Sequence, residues 1–332
     1  MQALLASSGE ELARNLRQLV HDETQRDGVV AANGHLVLIW LLGAEPDSKT
    51  TESAVRALVQ LSAHVPESRL PIVQAGAVGP VVALLRTVPT TGNEVTLRIA
   101  ANLVNNLART SAAIEAFRMA GAIAPLVSLL GAAPMVANAA AGALGRLSYD
   151  TEANKLVNVA EVREAGAIPP LVALLHGETA YKAAGALYIL ATDAANAAAI
   201  RPAGGIVPLV ALLHAAEAKT AEIAAVALFN ISILDQQNRP AILAALAARP
   251  PPPPPHDGRS LLAKLLDLLR PTATERLATA EAGDDDASLQ QAIDQAAAVG
   301  VADAELQRAR TKLAAMREAA EAARRERRTS LG

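Results

Sequence analysis

Few residues of this 332-residue chain have the type and spacing to do chemistry. There is no cysteine, which removes thiolate ligands, thiol nucleophiles and disulfides together. The six histidines, His21, His35, His64, His176, His214 and His256, include no pair at the short spacing typical of a metal site. Asp284, Asp285 and Asp286 form a dense carboxylate run. No oxygen ligands at calcium-binding spacing surround it, so it reads as a solvated turn. No phosphate-cradling glycine loop or nucleophile elbow occurs, and no spacing of Ser, His and Asp specifies a triad. The expectation is a protein that is not an enzyme, with no catalytic residue, cofactor or metal.

Two segments carry the chemistry of binding. Arg249 precedes six prolines at 250–255, which must run as extended polyproline II. Such a run docks to profilin or WW-type domains, with Arg249, Pro252 and Pro255 as the residues read; a passive loop insertion is the other reading. The basic run RRERR at 324–328 suits a nuclear-import signal or an acidic surface. Glu318, Glu321 and Glu326 are interspersed with it, so a solvated helix end is preferred. The formal charge of −3 gives the whole molecule no pull toward nucleic acid or membrane.

No basic stretch precedes an apolar run at the N-terminus, and Gln2 follows Met1, so neither a signal peptide nor myristoylation is expected. The most apolar run, 29–44, is broken by Asn33 and His35 and is short for a membrane span. The expected setting is the cytoplasm, or the nucleus, without direct membrane insertion.

The elements that would position any site follow from composition and repetition. Hydrophobic residues make up 52% of the chain but aromatics only 2%, a balance of Ala and Leu that favours helices over strands. One phrase returns four times: AGAVGPVVALL, AGAIAPLVSLL, AGAIPPLVALL and AGGIVPLVALL, starting at Ala75, Ala120, Ala165 and Ala203. Its glycines, Gly76, Gly121, Gly166 and Gly204, lie 45, 45 and 38 residues apart. Each can take the left-handed conformation that ends a helix. Pro80, Pro125, Pro170 and Pro208 then suit the first turn of the next helix. The Leu-rich run that follows is apolar nearly all round, as befits a helix buried between repeats. Truncating Leu174 in it is expected to cost about 2–5 kcal/mol. After each Leu-Leu stands Arg86, Gly131, His176 or His214, a cation or glycine at a helix end.

A second segment recurs between the phrases: AVRALVQLSAH, LVNNLART, GALGRLSYD, GALYILATD and VALFNISIL. Before each glycine a shorter leading helix places Ile72, Phe117, Val162 or Ile200 four residues back. Asn158 and Asn196 stand eight back. In these residues the sequence resembles the armadillo family, whose repeats run Asn-x-x-x-Ile-x-x-x-Gly-Ala-Ile-Pro-x-Leu-Val-x-Leu-Leu and then Ala-Leu-x-Asn-Leu-Ala. The likeness covers roughly residues 10–240. It implies an all-α, right-handed superhelical armadillo-repeat solenoid, and the residues beyond Pro271 read as a separate C-terminal helical hairpin.

The expected organisation follows. Residues 1–64 form a diverged capping repeat in which Asn33 replaces the glycine and Ser8 and Glu11 start the leading helix. Residues 65–249 hold the armadillo repeats, 250–258 the polyproline insertion and 259–271 a terminal capping helix. Residues 272–332 form the hairpin with its basic end. Ser288 and Gln291 make its capping box, and Leu306, Ala309, Leu313, Met316, Ala320 and Ala323 form a coiled-coil seam.

The resemblance also implies a site. In armadillo solenoids the third helices line a concave groove that receives an extended peptide or protein segment. The signature asparagine position corresponds to Gln60, Asn106, Arg146, Ile189 and Asn230. Four residues earlier, where importin-alpha relatives carry tryptophan, stand Arg56, Asn102, Gly142, Gly185 and Val226. The candidate groove residues are Arg56, Gln60, Asn102, Asn106, Arg146 and Asn230. Without the tryptophans, and with two arginines, an importin-alpha-like transport adaptor is the secondary reading. Trp40 is assigned to a buried helix. Vacuole-associated armadillo proteins look similar, but the glycine and cysteine that anchor them in lipid are missing. The expected function is a monomeric, non-catalytic scaffold for protein partners, not nucleic acid. An enzyme without a recognisable motif is the remaining class.

Overall fold

The computed structural model describes residues 9–43, 49–149, 152–249, 265, 269, 273–298 and 301–329, and every regular element in these is helical. The chain divides into two compact units, Met1–Leu265 and Leu266–Gly332.

The first unit opens with α1 (Gly9–His21), α2 (Glu23–Ala31), α3 (Gly34–Leu41) and α4 (Lys49–His64). Triads of leading, second and third helices follow. They are α5 (Arg69–Gln74), α6 (Val78–Leu85) and α7 (Glu94–Leu107), then α8 (Ser111–Met119), α9 (Ile123–Leu129) and α10 (Pro134–Ser148). Next come α11 (Glu152–Glu164), α12 (Ile168–Ala173) and α13 (Ala180–Leu190). The series continues with α14 (Ala194–Ile200), α15 (Ile206–Leu212) and α16 (Ala218–Leu234), and then a further leading helix, α17 (Arg239–Ala248). Third helices stack side by side in the order α4, α7, α10, α13, α16.

The glycine of each phrase does what its backbone freedom allows. Gly76 sits at φ +88° and donates to Val73 O at 3.0 Å, while Ala77 donates to Ile72 O at 3.3 Å. That pair of bonds satisfies two orphan carbonyls at the end of α5. Gly121, Gly166 and Gly204 repeat the pattern. The acceptor residues Ile72, Phe117, Val162 and Ile200 are fully buried, so one residue anchors both the turn and the core. The turns bend the chain sharply: α5 with its preceding 3-10 turn meets α6 at 88°, and α8 meets α9 at 81°. Asn33 takes φ +56°, the one non-glycine residue at positive φ among those described, and so stands in for glycine at the first turn.

Leading helices are tied to one another by polar side chains. Asn196 donates to Leu190 O at 3.1 Å and to Val159 O in the preceding repeat at 3.2 Å. Asn238 does the same toward Ile231 O and Ala197 O. Three residues before successive glycines, an arginine reaches forward. Arg118 meets Glu161 at 2.6 Å, Arg163 meets Asp193 at 3.3 Å, and Arg201 meets Asn238 Oδ1 at 2.9 Å. Hydrogen bonds to Glu115 and Glu161 hold the Arg118 guanidinium above its ordinary pKa.

Several expectations are corrected. The leading helix of the first repeat is α2, capped by Asp22 through Thr24 N at 2.9 Å. Helix α1 instead packs along α4 as an additional third helix, and Ser8 lies outside the described residues. Trp40 is 73% exposed. Helix α3 buries His35, Leu38, Ile39 and Leu41 and turns Leu36 and Trp40 to a side that no described residue covers. Leu174 is only half-buried, whereas Leu171 and Leu175 are buried at 0% and 1% exposure.

The described residues of the second unit include the helices α18 (Ala273–Ala282), α19 (Asp286–Ala298) and α20 (Asp303–Thr329). Leu277, Leu289, Ile293, Ala296, Leu306, Ala309 and Leu313 share one core. Leu277 of α18 joins the cluster, so a third helix packs with the expected hairpin. The start of α19 is capped by Asp285, which accepts from Ser288 N at 3.1 Å, so Ser288 is inside the helix and not its cap. The hydrogen bond from the Ser288 hydroxyl, and then that from Ser288 N, hold the Asp285 carboxyl below its ordinary pKa. The seam of α20 is filled as far as Met316; Ala320 is exposed, and the Ala323 side chain lies outside the described residues.

Candidate functional site

The third helices present a polar stripe on the face opposite the leucines. Three clefts run along it, of about 530, 230 and 390 Å³. The first lies over α1, α4 and α7, lined by Arg17, His21, Arg56, Gln60, Arg98 and Asn102. Arg98 and Asn102 also line the second, with Asn105, Asn138, Glu178 and Lys182. Asn105, Gly142 and Lys182 pass into the third, beside Arg146, Tyr149, Tyr181, Tyr188, Ile189 and Ile223. Shared walls make the three one continuous groove.

Helix geometry explains the stripe. On a helix, residues four apart lie on the same face. Arg56 and Gln60, Arg98 and Asn102, and Asn138, Gly142 and Arg146 each form such a row while Leu58, Leu103 and Leu144 on the other side are fully buried. Arg56 is held by Glu52 at 2.7 Å one turn back. Arg146 lies 5.9 Å from the centroid of Tyr149, and Lys182 lies 5.4 Å from that of Tyr181, both within cation–π range. Burial, and then the positive charges of Arg146 and Arg69, pull the Arg109 guanidinium below its ordinary pKa.

Each cleft holds a buried polar atom without a partner among the described residues: Gln60 Oε1, Asn138 Oδ1 and Arg146 Nε. Such atoms cost free energy until something bonds them.

The structure brings Arg56, Gln60, Asn102 and Arg146 into the groove. Asn106 and Asn230 are half-buried and do not line these three clefts. Asn106 Nδ2 turns to Ser62 Oγ at 3.3 Å and Val59 O at 3.4 Å, and Asn230 Nδ2 to Tyr188 O at 3.5 Å. These two amides link one third helix to the one before it. Arg249 ends α17 and is exposed, and Pro252 and Pro255 lie outside the described residues. The arginines at 324–328 belong to α20, with side chains outside the described set. Sequence reasoning missed Arg98, Asn105, Asn138, Lys182 and the three tyrosines. The available signal was the row of polar residues four apart, continued one turn toward each helix N-terminus.

Solved structures similar in fold include a designed armadillo repeat protein in complex with the peptide (KR)4. It matches at TM-score 0.58 and 26% identity, over 71% of this chain and 99% of that one. Computationally designed armadillo repeat proteins for modular peptide recognition match at 0.58 and 26%, over 70% and 97%. The chain is an armadillo-like repeat solenoid. An engineered protein from the Northeast Structural Genomics Consortium matches this solenoid at TM-score 0.69 and 26% identity, over 95% of the chain and 76% of its own. No protein-family model matches the sequence, and no curated protein does.

Proposed function

We propose that this armadillo-like protein is a non-catalytic scaffold holding an extended segment of a partner protein along the groove of its third helices. The observation that carries the proposal is the continuous row of side-chain amides, Gln60, Asn102, Asn105 and Asn138, along the shared walls of the clefts. An amide offers both a donor and an acceptor, which matches the alternating N–H and C=O of an extended backbone. Designed relatives of the same fold, described as peptide-recognition proteins, support the same use of the groove. In this reading the protein works as a monomer in the cytoplasm and needs no cofactor.

Importin-like capture of basic peptides fits poorly. Arg17, Arg56, Arg98, Arg146 and Lys182 line the groove, and like charges repel a lysine-rich ligand. Selection of displayed random dodecapeptides on the full chain tests the scaffold. Asn102→Ala, Asn105→Ala and Asn138→Ala together should weaken the selected peptides about tenfold or more while circular dichroism stays unchanged. Peptides whose affinity is untouched by that variant would sink the groove reading.

A further inference from the structure

Two glycines in the groove have no packing reason to be glycine. Gly142 and Gly185 stand at the same register of successive third helices, inside α10 and α13. Neither has a positive φ, and a glycine inside a helix weakens it. A Cβ at Gly185 would meet nothing within 4 Å, and one at Gly142 would meet only the methylenes of Lys182, the nearer at 3.4 Å. Gly145 differs, since its Cβ would press on the backbone Cα of Ala186 at 3.3 Å. The first two therefore leave a bare floor that the fold itself does not require.

What surrounds the floor indicates what it receives. The chain has three tyrosines, Tyr149, Tyr181 and Tyr188, and all three line this cleft. Ile189 and Ile223 complete an apolar wall. Arg146 and Lys182 rest against two of the rings and have no carboxylate partner among the described residues. Along all three clefts Arg17, Arg56, Arg98, Arg146 and Lys182 stand with one lining carboxylate, Glu178, and of these cations Arg56 is paired with Glu52 at 2.7 Å, although the whole chain carries a net charge of −3. That concentration of cations is local to the groove.

We infer that the bound segment is acidic and sets one large apolar side chain on the glycine floor between the three tyrosines, with its flanking carboxylates on Lys182, Arg146 and Arg98. The inference rests on the scaffold reading and gives that scaffold a ligand class. An unfilled floor ringed by aromatic side chains accepts a bulky apolar anchor, and anchors of this kind dominate peptide affinity. Cations beside aromatic rings in a partly covered cleft bind carboxylates through charge-assisted bonds.

Calorimetric titration of the full chain with three blocked nonapeptides tests it. One has glutamates and alanines around a central tryptophan; the second has alanine at the centre; the third has lysine in place of every glutamate. The first should bind at least about tenfold tighter than the second, and the third should bind at least about a hundredfold more weakly than the first, with salt weakening the first. Gly185→Trp fills the floor at an open position and should reduce the first peptide to the affinity of the second while circular dichroism stays unchanged. Equal or tighter binding of the lysine peptide overturns the inference, as does a central tryptophan that adds nothing or a Gly185→Trp variant that binds unchanged. Binding of oligothymidylate in place of any peptide also overturns it. If selected dodecapeptides bind through the groove amides but prove neutral or basic, the scaffold stands and this inference alone fails.

Discussion

Replacing Asn196 by alanine removes a side chain that is 0% exposed and bonds across a repeat boundary. Its Nδ2 donates to Leu190 O at 3.1 Å and Val159 O at 3.2 Å, and its Oδ1 accepts from Arg163 at 3.3 Å. Leu190 O keeps a second donor, Asp193 N at 3.2 Å, and Val159 O lies within α11 where helical bonding continues. The carbonyls are therefore not orphaned, and Arg163 keeps Asp193 at 3.3 Å, so the loss is that of two ordinary hydrogen bonds, about 1–3 kcal/mol together, plus the one bond from Arg163. Asn196→Asp should cost more, because a carboxylate cannot donate and would face two carbonyl oxygens in a buried position. Chemical denaturation followed by circular dichroism gives the total. Hydrogen exchange should place the lost protection in α11 to α16 first, because contacts in a solenoid are between neighbours. An alanine variant within about 0.3 kcal/mol of the parent, or an aspartate variant milder than alanine, would refute the reasoning.

The glycines predict opposite signs. Gly185→Ala should stabilise by about 0.5–1 kcal/mol in denaturant titration, because the helix gains and the space is open. Gly204→Ala, at φ +79°, should instead cost about 1–2 kcal/mol. Leu171→Ala should cost about 2–5 kcal/mol in the same titration, and Leu174→Ala less, because only the first is fully buried. Burial pulls the His35 pKa below its ordinary value of 6.5. The unfolded chain thus takes up a proton that folded His35 resists, so this contribution is present above the ordinary value and declines as pH falls beneath it. Protection factors of the α3 amides, corrected for intrinsic exchange, should fall over that window, and His35→Leu should remove the dependence.

The turns were legible in the sequence because their causes are local. A glycine at positive φ, a proline in the next first turn and an apolar residue four back act within ten residues, so even Asn33 could be matched to its glycine counterparts. The buried asparagine of the leading helix was visible as a spacing, though not its bond to the preceding repeat. What periodicity could not supply was the facing of helices that are apolar nearly all round. Trp40 and Leu174 lie on sides that only neighbouring helices could cover or leave open. The groove shows the same limit at finer grain. Asn105 lines it and Asn106 does not, although they are adjacent, because one residue turns a helix by about 100°. Tyr181 and Tyr188 share one face of α13, two turns apart, but Tyr149 follows α10 in the preceding repeat, and no spacing along the chain announces its meeting with them. Stacking of α10, α13 and α16 brings them together around bare glycines. Residues dozens of positions apart become neighbours only when leucines on the opposite faces of those helices pack.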